Sequence, residues 1–429
     1  MRLYQNRLTI ALIVLVVVGA IQYIYSASLT LGSSGTIYFL IDDATAEQAG
    51  PLRYLKDIVL VLFGLIWPFL IWKKSSGALQ LYAVWMLSVL LIGSFPIITG
   101  HSFFFLYIAG IRWMILLHAC VGIYMLMVQY GIDRRGESLL LKVAIFILAV
   151  NAFFTLKQSP DTLAIFWAGL RLTGTFSNAG TLGFFALSMS LLSYAFYRSP
   201  SSLVIWLNIL AFFVAASSGT RYAIIGVLLI TGILIAERFT YRATAKVRGI
   251  VVMVVALLAI PSAVGALVAA NTIASRGDVF VDQLSEGGRL YNLGQSLDLA
   301  LQSGAGEILF GEGLGVGTNL ALGESQSASY GDEASYGMDM PWNLMIDNSF
   351  ATTFIQIGLV GSIVFWGPVA LFLKNHISRR MLIVFILFVV GLFEQNMAEQ
   401  YYLMVAFSIV YASERLRRTS INKTEGERA

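Results

Sequence analysis

The residues of this chain best suited to chemistry are arginines set in small, polar surroundings. Arg171 opens the run Arg171-Leu172-Thr173-Gly174-Thr175-Phe176-Ser177-Asn178, Arg221 closes Ser217-Ser218-Gly219-Thr220-Arg221, and Arg289 lies in Gly287-Gly288-Arg289-Leu290. A guanidinium group binds phosphate oxygens bidentately and keeps its charge at every physiological pH. Glycine beside it lets the backbone come close to a ligand. Two or three such groups facing one cavity would hold a diphosphate. An arginine at the end of a membrane span can also serve only to reach the interface, its stem lying along apolar surface.

A carboxylate completes the set. Asp347-Asn348-Ser349-Phe350 leads into an apolar segment, so Asp347 could take a proton from a hydroxyl while the arginines stabilise a departing phosphate. It could equally be a helix cap. An ordinary aspartate ionises at about 3.9 and is a weak base, so partial burial would be needed to strengthen it. Arg112, in Ala109-Gly110-Ile111-Arg112-Trp113, is the most embedded arginine. A charge at a helix centre costs roughly 2.5 to 3.5 kcal/mol, so Arg112 is expected to face a polar cavity. Asn178, Asn348 and Glu394 are further candidates for contact with a substrate. Gly311-Glu312-Gly313-Leu314-Gly315-Val316-Gly317 is glycine-rich like a nucleotide loop but has no Lys-Ser or Lys-Thr after it, and it reads as a turn. The three histidines, His101, His118 and His376, are too scattered for a metal site, and Cys120 has no partner for a disulfide. No metal or cofactor is expected.

The elements that must position these groups are membrane helices. The chain has 429 residues, 58% of them hydrophobic and 12% charged, with mean hydropathy +0.78, which leaves too little polar surface for a water-soluble globule. Apolar segments recur at 8–26, 55–72, 78–95, 103–127, 139–156, 179–197, 203–216, 222–236, 249–270, 349–373, 381–393 and 401–412. Each is near the length that crosses a bilayer, and backbone satisfaction in lipid makes them helices. The expected fold class is an all-α polytopic membrane protein with about twelve transmembrane helices.

Positive charge gathers on alternate connections: Arg2 and Arg7, Lys73-Lys74, Arg134-Arg135, Arg198, the group Arg238 to Arg248, Lys374 to Arg380, and Arg415 to Arg418. Arg53 and Lys157 are the exceptions. This pattern puts both termini in the cytoplasm. It also places the polar interval 271–348, between spans nine and ten, on the outer face. The organisation expected is therefore 1–270 with helices one to nine, 271–348 as a large extracytoplasmic loop with short helices, 349–413 with helices ten to twelve, and 414–429 as a cytoplasmic tail. Residues 271–346 hold ten acids and two arginines, as an outer segment free of positive-inside pressure can. Within it Leu290, Leu293, Leu297 and Leu301 fall at helical spacing.

In this order and sidedness, Arg171-Leu-Thr-Gly-Thr-Phe-Ser-Asn, Ser-Ser-Gly-Thr-Arg221, Gly-Arg289-Leu-Tyr, Leu-Phe-Gly-Glu-Gly-Leu-Gly-Val-Gly, and Asp347-Asn-Ser-Phe followed by Gln-Ile-Gly-Leu-Val-Gly resemble the O-antigen polymerase and ligase superfamily. The resemblance spans roughly Arg112 to the C-terminus. It implies metal-independent glycosyl transfer from polyprenyl-diphosphate-linked saccharides at the outer face of the bacterial inner membrane, among membrane lipids and alongside chain-length regulator and flippase proteins. No nucleic-acid partner is implied. The ligase branch, which joins glycan to lipid A core, typically carries a histidine where this chain has Asp347, so the repeat-unit polymerase branch is favoured. A transporter of lipid-linked saccharides is the alternative from another class; it would be expected to show two similar halves and broken helices at the membrane midplane.

Overall fold

The computed structural model describes residues 2–21, 52–72, 76–99, 104–158, 172, 174, 176, 179–196, 201–240, 294, 298, 301–302, 304–316, 348–378, 380–394 and 400–426. Regular structure among them is entirely helical: α1 (Arg2–Ile21), α2 (Leu52–Ile71), α3 (Ser76–Ile98), α4 (Phe104–Tyr130), α5 (Arg134–Gln158), α6 (Ala179–Ala195), α7 (Ser201–Ser218), α8 (Arg221–Thr240), α9 (Ala305–Phe310), α10 (Ser349–His376), α11 (Leu382–Glu394) and α12 (Tyr401–Gly426). Four helical stretches are long and apolar enough to cross a membrane: Ser76–Ile98, Leu106–Tyr130, Arg134–Leu156 and Ser349–His376. The expected span 249–270 and most of the outer interval lie outside the described residues. In the leucine-patterned stretch, Gly294, Asp298, Leu301 and Gln302 are helical.

The chain divides into two compact units. One comprises Met1–Leu65, Ala119–Ser275 and Tyr401–Ala429; the other comprises Ile66–His118 and Arg276–Gln400.

In the first unit α6 is the hub, packed by α7, α8 and α12. Residues Leu182 to Ser193 are buried on every face, the mark of a helix surrounded by others. Its serines hold the neighbours by hydrogen bonds. Asn208 of α7 donates to Ser193 Oγ at 2.8 Å, accepts from Ser190 Oγ at 2.7 Å, and accepts from Thr231 Oγ1 of α8 at 3.2 Å. In lipid such bonds, together with small residues that let backbones approach, replace the hydrophobic drive that water supplies. Midway along α12 the buried carboxylate of Glu414 accepts from Arg417 through Nε at 2.8 Å and Nη2 at 2.7 Å, and from Arg418 Nε at 3.2 Å. Part of the basic cluster counted at the C-terminus is thus neutralised within its own helix.

In the second unit α10 departs from the single straight span that its composition predicts. Gly358 has φ +64° and ψ −169° inside the helix, a region open essentially to glycine alone. Phe350 and Trp366 would stand roughly 24 Å apart along a straight helix. Their ring centroids are 4.6 Å apart. α10 therefore folds back at Gly358 into two arms, 349–357 and 359–376, and its first arm starts beside Trp366 rather than at the far end of the unit.

A fold-back frees backbone carbonyls, and the glycine-rich segment after α9 takes them up. Glu312 N–H donates to Ile355 O at 2.7 Å and Gly313 N–H to Gln356 O at 3.1 Å. The segment is a turn, closed by Val316 N–H to Gly313 O at 3.4 Å, and it is buried, with Leu314 fully enclosed. Glycine is demanded where backbones touch. A Cβ on Gly311 would collide with the Gln356 carbonyl, one on Gly315 with Leu106 O, and one on Gly358 with the Leu309 carbonyl. Gly93 of α3 and Gly110 of α4 leave the slot that Leu314 fills. Both lie within two turns of the ends where α3 stops and α4 starts, the side that the charge pattern makes outer. Two uncapped carbonyls would cost about 1 to 3 kcal/mol each, so the turn is a structural filler of the break.

Candidate functional site

Arg221 stands at the first position of α8, exposed, on a turn built by the residues before it. Gly219 takes φ +63° and its N–H donates to Ala216 O at 3.0 Å. Thr220 N–H donates to Ser218 Oγ at 3.2 Å, and Ser218 Oγ donates to Ala215 O at 2.7 Å. Gly183 of α6 supports the turn from below, since a Cβ there would lie 2.5 Å from Thr220 Cβ and 2.7 Å from Ser218 Oγ. The first turn of α8 has no acid. A guanidinium at a helix N-terminus adds a full positive charge to the partial one of the helix dipole, a combination whose chemistry suits an anion.

The segment bearing Arg171 is tied to that turn. Leu172 N–H donates to Ser217 O at 3.1 Å. Leu172, Gly174 and Phe176 are buried. Phe176 packs on Phe185 at 5.1 Å and on Tyr402 at 5.7 Å. Gly174, at φ +59°, comes so close to Asn151 that a Cβ would lie 2.7 Å from its Oδ1. Asn151 is buried and donates from Nδ2 to Ile147 O at 3.1 Å. The two arginine motifs, about fifty residues apart in sequence, therefore share one backbone contact in the first unit. Arg171 and Asn178 themselves lie outside the described residues.

The second unit carries Arg112, Asn348 and the end of α11 at Glu394. Asn348 caps α10: its Oδ1 accepts from Phe350 N–H and Ala351 N–H, both at 3.0 Å. The capping role considered for Asp347 thus belongs to Asn348, whose side-chain oxygen is committed to the backbone. A substrate contact from Asn348 would fall to its amide nitrogen. Arg112 is partly exposed on α4. Asp347, Arg289 and the side chain of Glu394 lie outside the described residues.

Gln356 has a larger part than sequence reasoning gave it. It is 1% exposed. Its Oε1 accepts from Trp113 Nε1 at 3.1 Å and its Nε2 donates to Val316 O at 2.8 Å. The signal available in the sequence was a carboxamide inside an apolar helix, two residues before Gly358. His118 shares a hydrogen bond at Nδ1 with Tyr82 OH at 2.7 Å, stacks on the Tyr82 ring and meets Trp67 at a tilt, so it is satisfied within the helix packing. Searches of the chain against models of known protein families and against curated proteins returned no match.

Proposed function

We propose that this chain is a glycosyltransferase of a bacterial inner membrane, with both termini in the cytoplasm, that polymerises polyprenyl-diphosphate-linked oligosaccharide units at the outer face. The observation that supports it best is the Leu172 to Ser217 backbone bond, which brings the two arginine-bearing segments to one place beside a helix N-terminus. In the reaction the bond from the anomeric carbon of the growing glycan to the diphosphate breaks, and a bond forms from that carbon to a hydroxyl of the incoming lipid-linked unit. The hydroxyl proton goes to Asp347. Negative charge builds on the departing polyprenyl diphosphate, and Arg171, Arg221 and Arg289 stabilise it. Arg112 meets an anionic group of the donor, Asn178 and Glu394 line the approach of the sugars, and Asn348 fixes the start of α10 through its cap.

The test uses Arg171→Ala and Arg221→Ala proteins that insert normally, supplied with a lipid-linked oligosaccharide and with neither nucleotide sugar nor metal. Loss of chain lengthening is the expected result. Full-length polymer from both variants would end the diphosphate assignment, and glycan appearing on lipid A core would move the protein to the ligase branch.

One observation favours a second reading. The break in α10 is the kind of discontinuity that marks ion and substrate sites in transporters. Against that reading, Ile355 O and Gln356 O receive Glu312 and Gly313 N–H groups, so these carbonyls already have donors in place of an ion. A transporter would carry the lipid-linked saccharide across sealed vesicles without lengthening it.

A further inference from the structure

We propose that Gln356 is the positioning residue for Arg112, an inference that rests on the diphosphate reading above. The stretch of α4 from Gly110 to Trp113 is pinned at both ends. At Gly110 the Leu314 side chain and the Gly315 backbone fill the space where a Cβ would stand. At Trp113, 8% exposed, the indole N–H is held by Gln356 Oε1 at 3.1 Å. Arg112 lies between these two points and is partly exposed.

Gln356 joins both pins. Through Nε2 it holds Val316 O, and through its own carbonyl it holds Gly313 N–H, so the turn that plugs Gly110 and the indole that ends the stretch share one carboxamide. The amide is suited to this because it donates on one side and accepts on the other. Glutamate in its place would keep an acceptor for Trp113 and turn a repelling oxygen toward Val316 O. Arg112 is thereby held where an anionic group of a lipid-linked donor can meet it, and the polar bridge acts through Arg112 without touching the donor.

The experiment compares Gln356→Glu, Trp113→Phe, Arg112→Ala and the Gln356→Glu/Arg112→Ala double variant in detergent. Farnesyl diphosphate binding is the first readout, and kcat and KM for a lipid-linked oligosaccharide are the second. Gln356→Glu and Arg112→Ala should each weaken farnesyl diphosphate binding about tenfold, the order expected when one hydrogen bond to a charged group is lost or misplaced. Trp113→Phe should act in the same direction. KM should rise by the same factor with kcat nearly unchanged, and the double variant should bind no worse than the weaker single variant, because coupled residues are not additive. Docking of the turn is checked separately by hydrogen-exchange protection of the Gly313 amide, whose acceptor is Gln356 O, and that protection should persist when Gln356→Glu is added. Wild-type binding by Gln356→Glu, or effects that multiply in the double variant, would overturn the positioning role. Failure of the diphosphate reading looks different: Arg112→Ala, Arg171→Ala and Arg221→Ala would all bind farnesyl diphosphate like the wild type.

Discussion

Replacing Gly358 by alanine puts the architecture of the second unit to a direct test. At φ +64° and ψ −169° a side chain is strained by about 1 to 3 kcal/mol. The added Cβ would also meet the Leu309 carbonyl and Phe310 N. These are backbone atoms, which cannot rotate away as a side chain would, so overpacking adds about 1 to 3 kcal/mol. Straightening offers an escape, because alanine is favoured over glycine inside a helix by about 1 kcal/mol. That escape separates Phe350 from Trp366 and pulls Gln356 from Trp113, leaving the indole N–H and the Val316 carbonyl buried without partners at about 1 to 3 kcal/mol each. The strained route costs roughly 2 to 6 kcal/mol and the straightened one roughly 1 to 5 kcal/mol, a large part of the 5 to 15 kcal/mol typical of a folded protein. The assay is the temperature at which half of the detergent-solubilised protein ceases to run as a single species, together with hydrogen-exchange protection of the Glu312 and Gly313 amides, whose acceptors are Ile355 O and Gln356 O. Both should fall sharply. A variant with wild-type thermal behaviour and full protection of both amides would refute the fold-back.

Asn208→Leu removes four hydrogen bonds, to Ser190, Ser193, Val204 and Thr231; at roughly 0.6 kcal/mol per interhelical bond in a membrane, the first unit should lose about 1 to 2 kcal/mol of stability in a reversible detergent titration. Asn348→Ala should cost about 1 kcal/mol through the lost cap and leave turnover largely intact, whereas Asp347→Asn should abolish lengthening with little change in stability. Equal effects of the two on turnover would assign Asp347 no role as a base.

The helices of the first unit were legible because hydrophobic runs of the right length are hard to disguise. The segments at 179–197, 203–216 and 222–236 fall on α6, α7 and α8 to within a few residues. The fold-back at Gly358 was not legible. Hydropathy reports composition along the chain and is blind to the direction of a helix axis, so the two arms of α10 read as one span. The glycine-rich run was correctly seen as a turn, but its burial depends on Gly93 and Gly110, more than two hundred residues upstream. The partnership of the Arg171 and Arg221 segments was anticipated from residue types; the contact that carries it is a backbone bond, which no side-chain pattern encodes. Gln356 was quoted within a motif and given no role, since a single amide does not announce its partners.

The first unit is assembled from three stretches of chain, and α12 is made long after α1 and α6. Tyr401 OH donates to Leu15 O across 386 residues at 2.7 Å, and α12 also covers α6. While the ribosome is still making the intervening residues, the faces of α1 and α6 that α12 will cover meet lipid or another protein. Biogenesis should therefore depend on an insertase or chaperone that shelters this face. Nascent chains stalled before Tyr401 should be cleared by membrane proteases faster than the finished protein.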